Sequence, residues 1–270
     1  MNLVSFCLCQ QKSLFKPVIV YPKNDILKDY RGITIGRCLN CGLLKTFPNK
    51  KFNPQITHLD YYEKNKKFFI KLFQPIVKKL LQFKKSGLVL DVGCSSGIML
   101  EILSQKNFDV YGIEINKTAY QIAAKKFPKK IFHGYLVDFL KKTSQQFDVI
   151  IYNHVFEHIK NLNQEIKLIK KVLKTDGVLV VGVPNYRNFI FFLRQKFWES
   201  LQPNEHLWHF SDQYLVNYLE KNNFKILNRH YDNDQRKNYP LIKRAYFKLL
   251  IFLNKIFATG ESVVVFAKKN

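Results

Sequence analysis

The side chains best suited by type and spacing to do chemistry are one acid, Glu114, and four histidines, His154, His158, His206 and His209. Glu114 comes about twenty residues after the bend Gly93-Cys94-Ser95-Ser96-Gly97, and a carboxylate at that spacing accepts hydrogen bonds from both hydroxyls of a ribose. Gly93 and Gly97 permit a turn that residues with a Cβ make with difficulty, so bare backbone N–H groups reach a nucleotide-like ligand there. A histidine exchanges a proton near neutral pH, which suits the activation of a hydroxyl. Cys94, within the bend, reads as a small buried residue rather than a nucleophile.

These residues need a scaffold, and the hydrophobic pattern supplies one. Leu88 to Val92 reads as a strand buried on both faces, and Ile98, Met99, Ile102 and Leu103 open a helix. Phe108 to Ile113, Ile131 to Tyr135, Phe147 to Tyr152 and Val178 to Val183 read as further strands. Helices are expected over Asn116 to Lys126, Leu162 to Leu173 and Asp212 to Asn222, and a last strand over Glu261 to Lys268. Gly177 is the expected stop of the helix before the fifth strand. Phe68 to Leu81 carries a helical stripe that Pro75 is expected to kink or restart. Ligands of such open parallel sheets lie beyond the carboxyl ends of the strands, so Asn153 and His154 face the site by position.

A dinucleotide site calls for Gly-x-Gly-x-x-Gly, and Ser95 weakens that reading. The string Val89 to Gly97 instead resembles motif I of the class I S-adenosylmethionine-dependent methyltransferases, usually Leu-Asp-x-Gly-Cys-Gly-x-Gly. Phe147-Asp148 through Glu157-His158, Gly177 through Pro184-Asn185, and Phe210-Ser211 through Phe224 are similar to the segments that follow in that family. The resemblance spans Gly87 to Lys268. It implies a Rossmann-like, seven-stranded, mostly parallel sheet with helices on both faces, and S-adenosylmethionine as cofactor. It also implies a cofactor site of Asp91, Gly93, Cys94, Ser95, Gly97, Glu114, Ile115, Asp138 and Asn153. His154 and His206 become the candidate bases, His206 because Glu205 to Ser211 resembles the family's acceptor-side segment. His158 reads as structural, in a helix start where side-chain to backbone bonds are common.

Four of the five cysteines, Cys7, Cys9, Cys38 and Cys41, fall in the first 41 residues. Clustered thiolates suit a tetrahedral Zn²⁺, and Cys38-x-x-Cys41-Gly42 is a good knuckle half-site, whereas Cys7-x-Cys9 is one residue short. The segment resembles a small zinc-binding head found before related methyltransferase domains, with Phe6 where a first ligand belongs. Two outcomes stay open: Cys7 substitutes, or the head holds no metal. The expected organisation is a small cysteine-containing head and linker over 1–55, then a methyltransferase domain over 56–270 with insertions near 186–210 and 232–260. A Tyr61-Tyr62 pair before the core also fits the resemblance.

A hydrophobic content of 47% excludes a mainly disordered chain, and no apolar run is long enough to span a bilayer. The N-terminal residues lack a secretory leader, so the cytoplasm is expected, with a peripheral place on the inner face of the membrane as the variant. The net charge of +24 is built from 44 basic residues of which seven are Arg. Arg is the residue favoured for bidentate phosphate and base contacts, so solvated lysine faces are expected rather than a nucleic-acid partner. Two aromatic and basic insertions, Tyr186 to Trp198 and Leu241 to Ala258, are expected to act as a lid or as core, or else to contact an anionic membrane. The expected acceptor is a small molecule or a glycan-linked group. Quinones, lipids and nucleic acids are alternatives within enzymes, and a non-catalytic cofactor-binding scaffold is the alternative outside them.

Overall fold

A computed structural model of the 270-residue chain describes residues 2–9, 12–48, 64–233 and 240–269. The expected linker from 49 onward and Tyr61-Tyr62 lie outside the described residues. Twelve strands form two sheets among them. β1 (Leu3–Phe6), β2 (Lys12–Val20), β3 (Thr34–Cys38) and β4 (Leu44–Phe47) make an antiparallel meander. The larger sheet is built from β5 (Gly87–Val92), β6 (Phe108–Glu114), β7 (Ile131–His133), β8 (Phe147–Asn153), β9 (Leu173–Pro184), β11 (Phe224–Asp232) and β12 (Ser262–Lys269), in the order β11-β12-β9-β8-β5-β6-β7. β5 pairs in parallel with both β6 and β8. The strand order reverses at β5, which opens a crevice at its carboxyl end. Only β12 runs antiparallel to its neighbours, β9 and β11. This is the Rossmann-like, seven-stranded, mostly parallel sheet that the resemblance implies.

The meander is not self-contained. Its fifth strand is β10 (Trp208–His209), which pairs with β4 through Trp208 opposite Lys45 and His209 opposite Leu44. Trp208 also donates its indole N–H to the Ile159 carbonyl at 2.9 Å, and the Lys45 ammonium sits 4.7 Å from the centre of its ring. Cys7, Phe15, Cys38 and Leu43 of the meander share one buried cluster with Leu90, Ile150, Tyr152 and Phe156 of the large sheet. On the other face of that sheet, α1 (Lys66–Leu80), α2 (Ile98–Ser104) and α3 (Lys117–Lys126) bury Ile76, Val77, Met99, Leu103 and Ala123.

Two helix expectations need correction. α1 runs unbroken through Pro75, because its apolar face of Phe69, Ile76, Val77 and Leu80 is buried along the whole length. α5 (Leu162–Val172) passes straight into β9 at Leu173, before Gly177 is reached. The Lys269 ammonium takes the glycine's place, donating to the Lys170 carbonyl at 2.7 Å and the Leu173 carbonyl at 3.1 Å. By contrast Ser211 caps α7 (Asp212–Lys221) by accepting from the Tyr214 N–H, and Asn223 takes the left-handed conformation with φ +60°. α4 (Leu136–Phe139) is a single turn after β7.

The insertions fold as α6 (Phe189–Arg194) and α8 (Leu241–Ile256). Ile190, Trp198, Phe247 and Leu250 pack with Tyr21 and Ile33 of the meander in a third buried cluster. Neither helix lines the crevice, so of the lid and core roles expected of them the packing gives core; Glu199, Ser200 and Gln202, later in the first insertion, line the crevice. No helix among the described residues is long and apolar enough to cross a membrane.

Candidate active site

The glycine bend is pinned at both ends. Gly93 (φ +78°) and Cys94 both donate their N–H groups to the Ile113 carbonyl of β6, at 2.8 and 3.1 Å. A Cβ on Gly93 would come within 2.6 Å of the Val155 side chain, so this approach demands glycine. Ser95 is left-handed at φ +49°, and Gly97 (φ +85°) opens α2. Lys126 donates to the Ser96 carbonyl at 2.9 Å and pairs with Glu101 at 2.8 Å, tying α3 and α2 across the bend.

Glu114 ends β6 with its carboxylate turned into the bend. One oxygen accepts from the Ser95 N–H and the other from the Asn116 N–H, each at 2.7 Å. The Ile115 N–H also faces this carboxylate, which leaves lone-pair room for a ribose hydroxyl. Burial pushes the Glu114 carboxyl up, and those backbone N–H groups offset part of the rise. Asp91 is buried just behind, and desolvation followed by repulsion from Glu114 pushes it up to about 7. The Ser96 hydroxyl is buried with no hydrogen-bond partner among the described residues, as expected where a polar ligand completes the site.

Two cavities, of about 380 and 560 Å³, meet at Gly93, each large enough for part of a nucleoside-sized ligand. Asp91, Cys94, Ser95, Asn153 and His154 line the first, and Ile115, Tyr135, Leu136 and Val155 line the second. Of the residues expected to hold the cofactor, Gly97 sits behind the bend, packed near Phe127, and Asp138 points away. Asp138 lies on the outer side of α4, half-buried and paired with Lys141 at 2.7 Å, while Leu136 is the buried residue of that turn.

The acceptor side forms where β8 ends. His154 adopts φ +58° and donates its N–H to the Gly182 carbonyl. Gly182 leaves room for the Asn153 side chain, which a Cβ there would strike. The His154 ring is 40% exposed and lies with Nδ1 3.3 Å from the Glu157 carboxylate, which is 1% exposed. Burial alone would push the Glu157 carboxyl up, but the imidazoles of His154, His158 and His206 outweigh it and hold it down at about 2. His206 and His209 are buried, and desolvation lowers each to about 3 despite the attraction of Glu157. His209 is 2.9 Å from the Thr46 hydroxyl, which donates to the His206 carbonyl at 2.8 Å. His158 makes a side-chain to backbone bond, from Nδ1 to the Glu205 carbonyl at 3.0 Å. Sequence reasoning treats Glu157 only as part of a helix start. The missed signal is its repetition, since Glu157-His158 and Glu205-His206 meet in space with the two rings 4.9 Å apart.

In the meander, the sulfurs of Cys7, Cys9, Cys38 and Cys41 all lie within 4.8 Å of one another. Gly42 (φ +78°) closes the expected knuckle, donating to the Cys38 carbonyl, and Cys7 Sγ is 3.4 Å from Cys41 Sγ. Tetrahedral Zn²⁺ with Zn–S bonds of about 2.3 Å separates its sulfurs by roughly 3.8 Å, so the donor set fits. The hydrogen bond from Cys7 pulls the Cys41 thiol down to about 5 and pushes Cys7 up, so the cluster readily carries thiolate.

A mostly parallel sheet with a glycine bend and an acid at the ends of its two central strands defines the Rossmann-like, nucleoside-binding class of methyltransferase. A family model described as a methyltransferase domain matches residues 62–229, and the chain belongs to that family, whose members take their methyl group from S-adenosylmethionine. The chain is 28% identical over 153 residues to the ubiquinone biosynthesis O-methyltransferase of Pelagibacter ubique (strain HTCC1062), covering 53% of this chain and 62% of the relative. It is 30% identical over 132 residues to the enzyme of the same name from Actinobacillus pleuropneumoniae serotype 5b (strain L20), covering 43% and 55%. The match therefore spans less than two thirds of these relatives. Among solved structures, a SAM-dependent methyltransferase from Archaeoglobus fulgidus superposes with a TM-score of 0.57 at 18% identity, over 77% of this chain and 99% of that one. Another from Thermotoga maritima gives 0.54 at 16%, over 78% and 96%. These two likenesses establish the fold.

Proposed function

We propose that the protein transfers the methyl group of S-adenosylmethionine to a hydroxyl oxygen of a small-molecule or glycan-linked acceptor. The cofactor brings an activated methyl on a sulfonium leaving group, so the protein's work is alignment and removal of the acceptor's proton. Glu114 holds the ribose, the bend from Gly93 to Gly97 brings the main chain close without side-chain bulk, its N–H groups at 93, 94, 95 and 97 being taken by Ile113, Glu114 and Cys94, and Asp91, Ile115 and Asn153 complete the cofactor side. The observation that carries the oxygen acceptor is His154: it is accessible at the end of β8 and backed by a buried carboxylate 3.3 Å away. The charge of such a carboxylate stabilises the imidazole once it has taken a proton. His206, neutral and buried, serves the acceptor side as a wall rather than as the base. The names of the relatives, O-methyltransferases of ubiquinone biosynthesis, support oxygen as the atom methylated and favour a quinone-type phenol as the second acceptor class. Cys7, Cys9, Cys38 and Cys41 hold one Zn²⁺ that ties the turn after β1 to the end of β3 and the turn that follows it, a structural role remote from the transfer.

The test is methyl transfer from isotopically labelled S-adenosylmethionine to a panel of glycan-linked hydroxyls and phenols, with product mass as the readout. His154→Gln is expected to lower kcat by about 10²–10⁴ while leaving cofactor affinity in place. Cofactor binding with no labelled product from any acceptor, phenols included, would instead support a scaffold.

A further inference from the structure

Beneath the acceptor end of the crevice, several buried polar atoms have no use in simple displacement. Neither oxygen of Glu157 has a hydrogen-bond partner among the described residues, because His154 Nδ1, at 3.3 Å, approaches without hydrogen-bond geometry. His206 Nδ1 is likewise buried without one. One ligand atom each from Glu157, His158 and His206 lies within 4.8 Å of the other two. Buried charge and buried ring nitrogens are expensive to desolvate and are normally paired or metal-bound.

We infer that Glu157, His158 and His206 form a binding site for one divalent transition-metal cation, separate from the cysteine cluster. Two imidazoles and a carboxylate form a donor set for Zn²⁺, Co²⁺, Ni²⁺ or Fe²⁺. The set is oriented from outside: His158 Nδ1 sits 3.0 Å from the Glu205 carbonyl oxygen, a contact that requires an N–H there. In the neutral ring the lone pair is then on Nε2, and a backbone carbonyl behind a ligating histidine is the usual second-layer partner. His158 and His206 line both cavities, so a cation held by three protein ligands keeps coordination positions open to the crevice. A hydroxyl bound at such a position loses its proton closer to neutrality than a free one does. That use rests on the methyl-transfer reading; cation binding does not. The competing account is that Glu157 acts only as counter-ion to His154, and the two differ in what the carboxylate binds.

The experiment is a Co²⁺ titration of the reduced, full-length protein followed by absorption, with S-adenosylmethionine affinity measured in parallel. Cobalt on the cysteines gives near-ultraviolet thiolate charge-transfer bands, whereas cobalt on Glu157, His158 and His206 gives only visible ligand-field bands. One equivalent of the second kind is expected, with its affinity lowered at least about tenfold in Glu157→Gln and in His206→Gln and kept in His154→Gln. Retained cofactor affinity shows that each variant is folded, and the wild-type spectrum decides alone if they are not. Cobalt uptake confined to thiolate, no uptake, or unchanged ligand-field binding in both folded variants would overturn the site. Cobalt bound without turnover would count against methyl transfer and leave the site standing.

Discussion

Asp91 and Glu114 are two buried acids at adjoining strand ends, and desolvation, with their repulsion second, makes the crevice sensitive to pH. The Asp91 carboxyl is raised to about 7, above its ordinary value, by desolvation first and by Glu114 second. Between about pH 4 and 7 the folded, cofactor-free chain therefore keeps a proton that the unfolded chain has lost, and this group's contribution to stability falls as pH rises through that window. S-adenosylmethionine carries positive charge and favours ionised Asp91, so its affinity is expected to rise about tenfold from pH 6 to pH 8. Calorimetric titration across that range checks it, and a flat profile would remove Asp91 from the linkage. Glu114→Gln should move the profile toward lower pH without abolishing it, because the desolvation of Asp91 remains, and weaken binding by roughly 10- to 100-fold, since an amide cannot accept from both the Ser95 and Asn116 N–H groups. The bend and Glu114 are legible in the sequence because a strand, a turn and a helix fix them within about twenty residues. Glu157 is not, because His206 and His209, whose imidazoles it faces, come from a distant part of the chain.

At the scale of elements, the long strands were readable from apolar runs, while the joints between them were not. α5 stops without its glycine because Lys269, far away in sequence, bonds its last carbonyls, and no local pattern carries that information. β10 is two residues long and shows no periodicity at all, yet it joins the cysteine-bearing meander to the methyltransferase sheet. Trp208 fills that joint, with its indole bonded to the Ile159 carbonyl and its ring under the Lys45 ammonium. Trp208→Ala should cost about 3–5 kcal/mol, the usual range for an aromatic removed from a core. Denaturant unfolding measures it. A loss below about 1 kcal/mol would mean that the meander leans on the large sheet only loosely.

For the whole molecule the question is where a net charge of +24 acts, since lysines are spread widely over the chain. One place combines that charge with exposed apolar surface. α8 buries Phe247 and Leu250, while Ile242, Tyr246, Leu249, Phe252 and Ile256 form an outward stripe at helical spacing, each more than 40% exposed. Lys243, Arg244, Lys248 and Lys255 flank the stripe, and exposed Phe192 and Leu193 of α6 accompany it. An apolar stripe edged with basic residues matches an anionic bilayer surface, where each Lys or Arg adds about 1 kcal/mol near the headgroups. The two-sided character of α8 was hidden in the sequence, because its apolar residues read equally well as one broad packed face. The full chain should co-sediment with phosphatidylglycerol vesicles and not with phosphatidylcholine ones, and added salt should weaken that binding. Leu249→Glu with Phe252→Glu should abolish it while cofactor affinity stays unchanged, because neither residue lines the crevice. Concentration-dependent dimers with no vesicle binding would assign the stripe to a second copy of the chain instead, and an apolar acceptor would then have to reach His154 through water.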